Sequence, residues 1–170
     1  MNGTLQVRRV FAAKRASCDI EAKGLLKDLR ENLKQTGLTD VRIYNRYDIA
    51  GITDEEYDLT RNQVFAELPV DDVYDEVADY RGAAALVAIE ALPGQYDQRA
   101  DSAAQCIQII TQKERPQVRT ARIIALYGDL AGIDTERVRD YLINPVESRE
   151  AALTKPQTLD EQYEAPAPVE

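Results

Sequence analysis

The 170-residue chain contains no histidine and no tryptophan, and only two cysteines, two phenylalanines and one methionine. Without histidine there is no Ser-His-Asp or Cys-His arrangement and no imidazole metal ligand. There is also no side chain that titrates unaided near neutral pH. The two cysteines, Cys18 and Cys106, are far apart, and neither belongs to a C-x-x-C pair, so the common zinc and redox motifs are set aside. A chain with so few thiols, and no apolar leader within Met1–Val10, is expected to be reduced and cytoplasmic. Long apolar runs are also missing. The longest, such as Ala83–Ile89, fall far short of the roughly 20 residues of a spanning helix, so no membrane partner is expected. Basic charge is in deficit: 21 Lys and Arg against 30 Asp and Glu leave −9. No nucleic-acid partner is expected either, because a phosphate backbone calls for a basic footprint.

What remains is ample for folding. Hydrophobic residues are 44% of the chain and aromatics only 6%, so the core should be aliphatic. The length fits one domain or two small ones. Leu5, Val7 and Phe11 alternate as in a strand, whereas Ala22, Leu25, Leu26, Leu29 and Leu33 recur at helical spacing up to Gly37. Val41, Ile43, Tyr47 and Ile49 alternate again over about 40–50. Thr53 with Glu56 forms a capping box, opening a helix with Tyr57, Val64, Phe65 and Leu68 on one stripe and Pro69 at its end. The order then recurs. Ala83–Leu92 is a strand candidate ended by Pro93-Gly94. Ala100, Ala103, Ala104, Ile107 and Ile110 form a helical stripe. A strand follows at about 118–127, and Asp134 caps a last helix with Val138, Tyr141 and Leu142.

Charge repeats with the pattern. Residues 1–46 carry +5, 47–97 carry −11, 98–128 carry +3 and 129–170 carry −6. The letters agree as well. Arg42–Tyr47 sits over Arg122–Tyr127, Asp48–Thr53 over Asp129–Asp134, and Ala22, Leu26 and Leu29 over Ala103, Ile107 and Ile110. Three elements at one offset of 80–81 residues point to an internal duplication. The expected class is α+β, with duplicated β-α-β-α units at 1–82 and 83–153 forming a pseudo-dimer of small sheets covered by helices. Val70–Tyr74 is a candidate short acidic edge strand. From Thr154 the chain is rich in proline and acid (Pro156, Pro166, Pro168, Asp160, Glu161, Glu164, Glu170), so 154–170 reads as a linker toward further domains.

Candidate chemistry is sparse. Asp71-Asp72, Asp75-Glu76 and Asp79 offer oxygens to a divalent cation. They lack the glycine turn of a calcium loop, and a solvated acidic edge explains them more simply. Gly94–Ser102 feeds a polar run into a helix start, where free backbone N–H groups and Arg99 suit an anion. A plain capped helix, with Asp97 or Asp101 as cap, explains the same letters. Asn144-Pro145-Val146-Glu147-Ser148-Arg149-Glu150 reads either as a helix-ending turn or as a loop meeting another domain. Cys18 and Cys106 lie near helix starts but have no activating base, and no nucleophile is assigned.

Two runs carry a resemblance. Glu90–Cys106 (EALPGQYDQRADSAAQC) and Tyr141–Arg149 (YLINPVESR) resemble the N-terminal region of phosphoribosylformylglycinamidine synthase, the formylglycinamide ribonucleotide amidotransferase of purine biosynthesis, in its long single-chain form. Cys18–Leu33 and Val41–Asp48 fit the same region, and the likeness spans nearly all of 5–152. It implies two fused copies of the small PurS-type subunit, arranged like a PurS dimer. It also implies a domain that is not catalytic alone and has no cofactor of its own. ATP, magnesium and the glutaminase residues belong to later domains of the full-length ligase. The implied partners are the synthase and glutaminase domains of the same enzyme, with self-association of the isolated fragment left open. The resemblance points to Gln98, Arg99, Asp101, Ser102 and Gln105 as the wall of the ribonucleotide site or an interdomain contact, and to Asn144 and Glu147 as interdomain contacts. Two other readings stand beside it: a stand-alone ferredoxin-like regulatory module that binds a small molecule, and, more weakly, a nucleic-acid binder using the basic 1–46 segment.

Overall fold

The computed structural model describes residues 6–65, 70–156 and 159. The order is β1 (Arg8–Lys14), α1 (Ile20–Glu31), β2 (Leu38–Ala50), α2 (Asp54–Val64), β3 (Asp71–Asp75), β4 (Ala85–Ala91), α3 (Gln98–Thr111), β5 (Gln117–Gly128), α4 (Thr135–Leu142) and β6 (Ser148–Glu150). The class is α+β, as expected. The strands form one antiparallel sheet in the order β3-β1-β2-β5-β4-β6. The small sheets of the two halves are joined edge to edge through the β2–β5 pair. Each half also contributes a third strand, β3 or β6, beyond the expected β-α-β-α. The acidic run at 70–74 does become an edge strand. Ser148–Glu150, read from sequence only as turn or loop, pairs with β4. Leu5, Leu68 and Pro69 lie outside the described residues.

Alternation along β2 sorts its side chains by face. Val41 and Ile43 join Ile124, Leu126 and Val87 beneath Leu29 of α1 and Val138 of α4. Tyr47 and Ile49 join Val10 beneath Tyr57 of α2 and Ala103 and Ile107 of α3. All four helices therefore cover one face, and each apolar cluster takes a helix from each half of the chain. The opposite face carries Phe11, Tyr44, Ala88, Ile123 and Ala125, packed with Ala78, Tyr80 and Ala151 from connecting segments. Packing continues beyond the point where the composition turns linker-like. The Leu159 side chain is buried, and the Thr154 carbonyl accepts a hydrogen bond from Arg9.

Helix starts follow local chemistry. Thr53 and Glu56 bond reciprocally as a capping box, and Asp19, Asp97 and Asp134 each cap a helix through a side-chain oxygen. Where β2 begins and β5 ends, the backbones approach closely. A Cβ on Gly37 would lie 2.8 Å from the Gly132 backbone, and one on Gly128 would overlap the Gly37 carbonyl. The strand bounds also repeat. β1 runs from 8 to 14 and β4 from 85 to 91, a shift of 77 at both ends. The first residue of β3, Asp71, and of β6, Ser148, differ by the same 77. That shift takes Asn45 of β2 onto Arg122 of β5, which stand opposite each other in the sheet.

Candidate functional site

The site is assembled at the start of α3. Leu92, Pro93 and Gly94 turn the chain out of β4. Gly94 adopts φ +88°, which glycine reaches without strain, and the Gln95 N–H donates to the Leu92 carbonyl at 3.0 Å. Asp97 then fixes the helix. Its Oδ1 accepts from the Ala100 N–H at 2.9 Å, its Oδ2 accepts from the Thr120 N–H at 3.1 Å, and the Thr120 hydroxyl donates to both oxygens. One carboxylate thus caps α3 and ties it to β5. The Asn-Pro segment arrives alongside, because the Leu92 N–H donates to the Glu147 carbonyl at 3.0 Å.

Between these pieces lies a cavity of about 610 Å³. Of the residues singled out from sequence, Gln98, Arg99, Ser102 and Glu147 line it. Gln98 and Arg99 occupy the first turn of α3, with Ser102 one turn on. Asp101, Gln105 and Asn144 do not line it. Asp101 accepts from the Tyr96 hydroxyl at 2.8 Å and pairs with Arg115. The Tyr96 bond, and then Arg115, hold its carboxyl below the usual carboxylate range, while the same bond raises the Tyr96 phenol. Gln105 is exposed farther along α3. Asn144 shapes the turn that brings Glu147 to the cavity: its Oδ1 accepts from the Val146 N–H, and its carbonyl accepts from the Ser148 hydroxyl at 3.0 Å.

Sequence reasoning missed Gln95, Tyr96, Thr120, Arg122 and Ser148 as lining residues. The available signal was Arg122 itself, a long cation within an aliphatic strand. Arg122 Nη2 donates to Glu21 of α1 at 2.6 Å, linking the cavity to the other half of the chain. Its Nε and the facing Asn45 Oδ1 are buried without a hydrogen-bond partner. Among the described residues, the side chains of Gln98, Arg99 and Ser102 make no hydrogen bond or ion pair, so donors stand available at the cavity wall.

No protein-family model matches the chain, and no curated protein matches it. Functional inference therefore rests on the site. The cavity combines guanidinium, amide and hydroxyl donors with the Glu147 carboxylate. The Asp97 oxygens are already engaged in holding α3 to β5. Donors beside a carboxylate are chemistry suited to polar ligands. Among the described residues, no three acidic or cysteine side chains converge as metal ligands, and no helix is long and apolar enough to cross a membrane. Both cysteines are free thiols, Cys106 exposed and Cys18 half-buried.

Proposed function

We propose that this chain is the N-terminal assembly domain of a long-form phosphoribosylformylglycinamidine synthase. The observation that carries the reading is the meeting of the two runs that resemble that enzyme. The Pro-Gly-Gln run supplies Gln98, Arg99 and Ser102, and the Asn-Pro-Val-Glu-Ser run supplies Glu147 and Ser148, to one cavity. Two distant runs that jointly form a wall suit a contact surface for a neighbouring domain that closes over the ribonucleotide site. The proposal includes an internal duplication with the plan of a PurS dimer. The shift of 77 shared by β1 and β4 and by β3 and β6, and the central β2–β5 pairing, support it.

In this reading the domain has no catalytic residue. The proposal assigns ATP, magnesium and glutamine chemistry to the synthase and glutaminase domains of the same cytoplasmic enzyme. The domain's own contribution is to position groups at the cavity wall.

The test is Arg99→Ala in the full-length enzyme. Arg99 is exposed and makes no ion pair among the described residues, so the domain should keep its melting temperature while glutamine-dependent turnover falls about tenfold or more, the scale set by a lost charged contact. Unchanged kinetics would remove Arg99 from the site, and a full-length protein without amidotransferase activity would end the reading. The regulatory-module alternative draws on the same free donors. Calorimetry with amino acids and purine nucleotides separates the two, since tight binding of a free effector favours the alternative.

A further inference from the structure

The sheet face opposite the helices carries a row of guanidinium groups. Arg9 of β1, Asp48 of β2 and Arg119 of β5 stand opposite one another across three adjacent strands. Arg46 lies two residues before Asp48 and shares its face. Arg9, Asp48 and Arg46 are 3%, 4% and 5% exposed. Asp48 takes Arg9 through both oxygens, at 2.7 and 2.9 Å. Asp48 bonds directly to Arg9, while Arg46 feels Asp48 and Glu90 only through space, and buried N–H donors left unmet are costly.

The remaining donors meet the main-chain carbonyls of a single segment. Arg46 Nη1 donates to the Ala152 carbonyl at 2.8 Å, Arg9 Nη1 to Leu153 at 2.7 Å, and Arg119 Nη2 to Leu159 at 3.3 Å. The Ala151 N–H donates to the Ala88 carbonyl at 2.8 Å, and Lys155 pairs with Glu76. The side chains of Ala151 and Leu159 are buried at the two ends.

We propose that this arginine row is a receptor for peptide main chain and that its occupant is the chain's own residues 151–156 together with Leu159, docked as a strap. Carbonyl oxygens are present at every residue, so the row reads main chain rather than side-chain identity. Specificity then comes from the buried anchors, Ala151 and Leu159. Pro156, exposed within this stretch, has no N–H to satisfy. The strap is independent of the assembly reading and stands or falls without it.

Thiol protection tests the strap in the full chain. Cys18→Ser and Cys106→Ala remove the native thiols, and Leu159→Cys places one at the buried anchor. In the folded chain its reaction with Ellman's reagent should be at least about tenfold slower than in urea, as expected of a group that reacts only after local opening. Arg119→Met, at an exposed position, and Arg46→Met should each raise the rate severalfold while circular dichroism shows the sheet intact. A thiol that reacts as fast in the folded chain as in urea overturns the strap. So does protection that survives Arg119→Met. Protection that grows with protein concentration overturns the occupant in cis and places the segment of a second copy on the row.

Discussion

Replacing Asp97 with alanine removes the carboxylate that holds the cavity's helix to the sheet. Two losses add. The cap bond from Ala100 is worth about 1 kcal/mol. The Thr120 N–H, in a half-buried strand, loses its acceptor at about 1–2 kcal/mol, while the freed hydroxyl rotates toward water. The expected cost is about 2–3 kcal/mol, which for a domain of this size lowers the melting temperature by about 4–12 °C. Asp19→Ala is the internal control. Asp19 caps α1 through one bond, from the Ala22 N–H at 3.0 Å, with no cross-strand partner, so its loss should cost about 1 kcal/mol. Urea unfolding followed by circular dichroism at pH 7 measures both. The excess for Asp97→Ala is the worth of the tie to β5. Thr120→Val should cost less in the Asp97→Ala background than in the wild type, because the two residues share their bonds. Equal costs for Asp97→Ala and Asp19→Ala would refute the tie and leave Asp97 as an ordinary cap.

Two other outcomes follow from the packing. Burial raises the phenols of Tyr44, Tyr57 and Tyr80, the last to about 12. The fold keeps them protonated where the unfolded chain ionises, so this contribution is intact below about pH 10 and is lost as pH rises through the folded values. Urea midpoints at pH 7, 9, 10.5 and 11.5 should fall only at the last two, and a flat profile would contradict the burial of these rings. Gly128→Ala should cost at least about 3 kcal/mol, since its Cβ would overlap the Gly37 carbonyl at a φ of +141°. Gly94→Ala, whose Cβ meets nothing within 4 Å although φ is +88°, should cost only about 1 kcal/mol. Equal losses would show that backbone conformation, not the close approach, dominates at Gly128.

Features governed by neighbours a few residues apart could be read from the letters. The Thr53–Glu56 box and the Asp134 cap need only helix geometry, and β2 and β5 show as alternation because one face of each is apolar. β6 escaped because its pairing is long-range: Ser148–Glu150 is polar, and only the approach of β4 makes it a strand. The letters and the strand bounds suggest different offsets between the two halves. A shift of 80 lays Arg42 over Arg122, yet Arg42 pairs with Ala125 and Arg122 with Asn45. Those positions lie on opposite faces, because a strand side chain changes face at each residue. The shift of 77 preserves the faces. At the cavity, the α3 start was legible because it is one continuous run. Thr120 and Arg122 were not, since they reach the same cavity from a strand whose sequence carries no sign of which helix will lie across it.

The rims of the sheet govern how the molecule behaves in a crowded solution. An edge strand invites other chains to add to it unless it is short or charged. β6 is three residues long, with Arg149 and Glu150 exposed. β3 is five residues long and brings Asp71, Asp72 and Asp75 to the opposite rim, paired with Lys14, Arg15 and Arg61. The acidic run that looked like a weak cation site thus acts as a guard against strand-by-strand growth. Rims built this way disfavour the addition of a further strand at either end of the sheet.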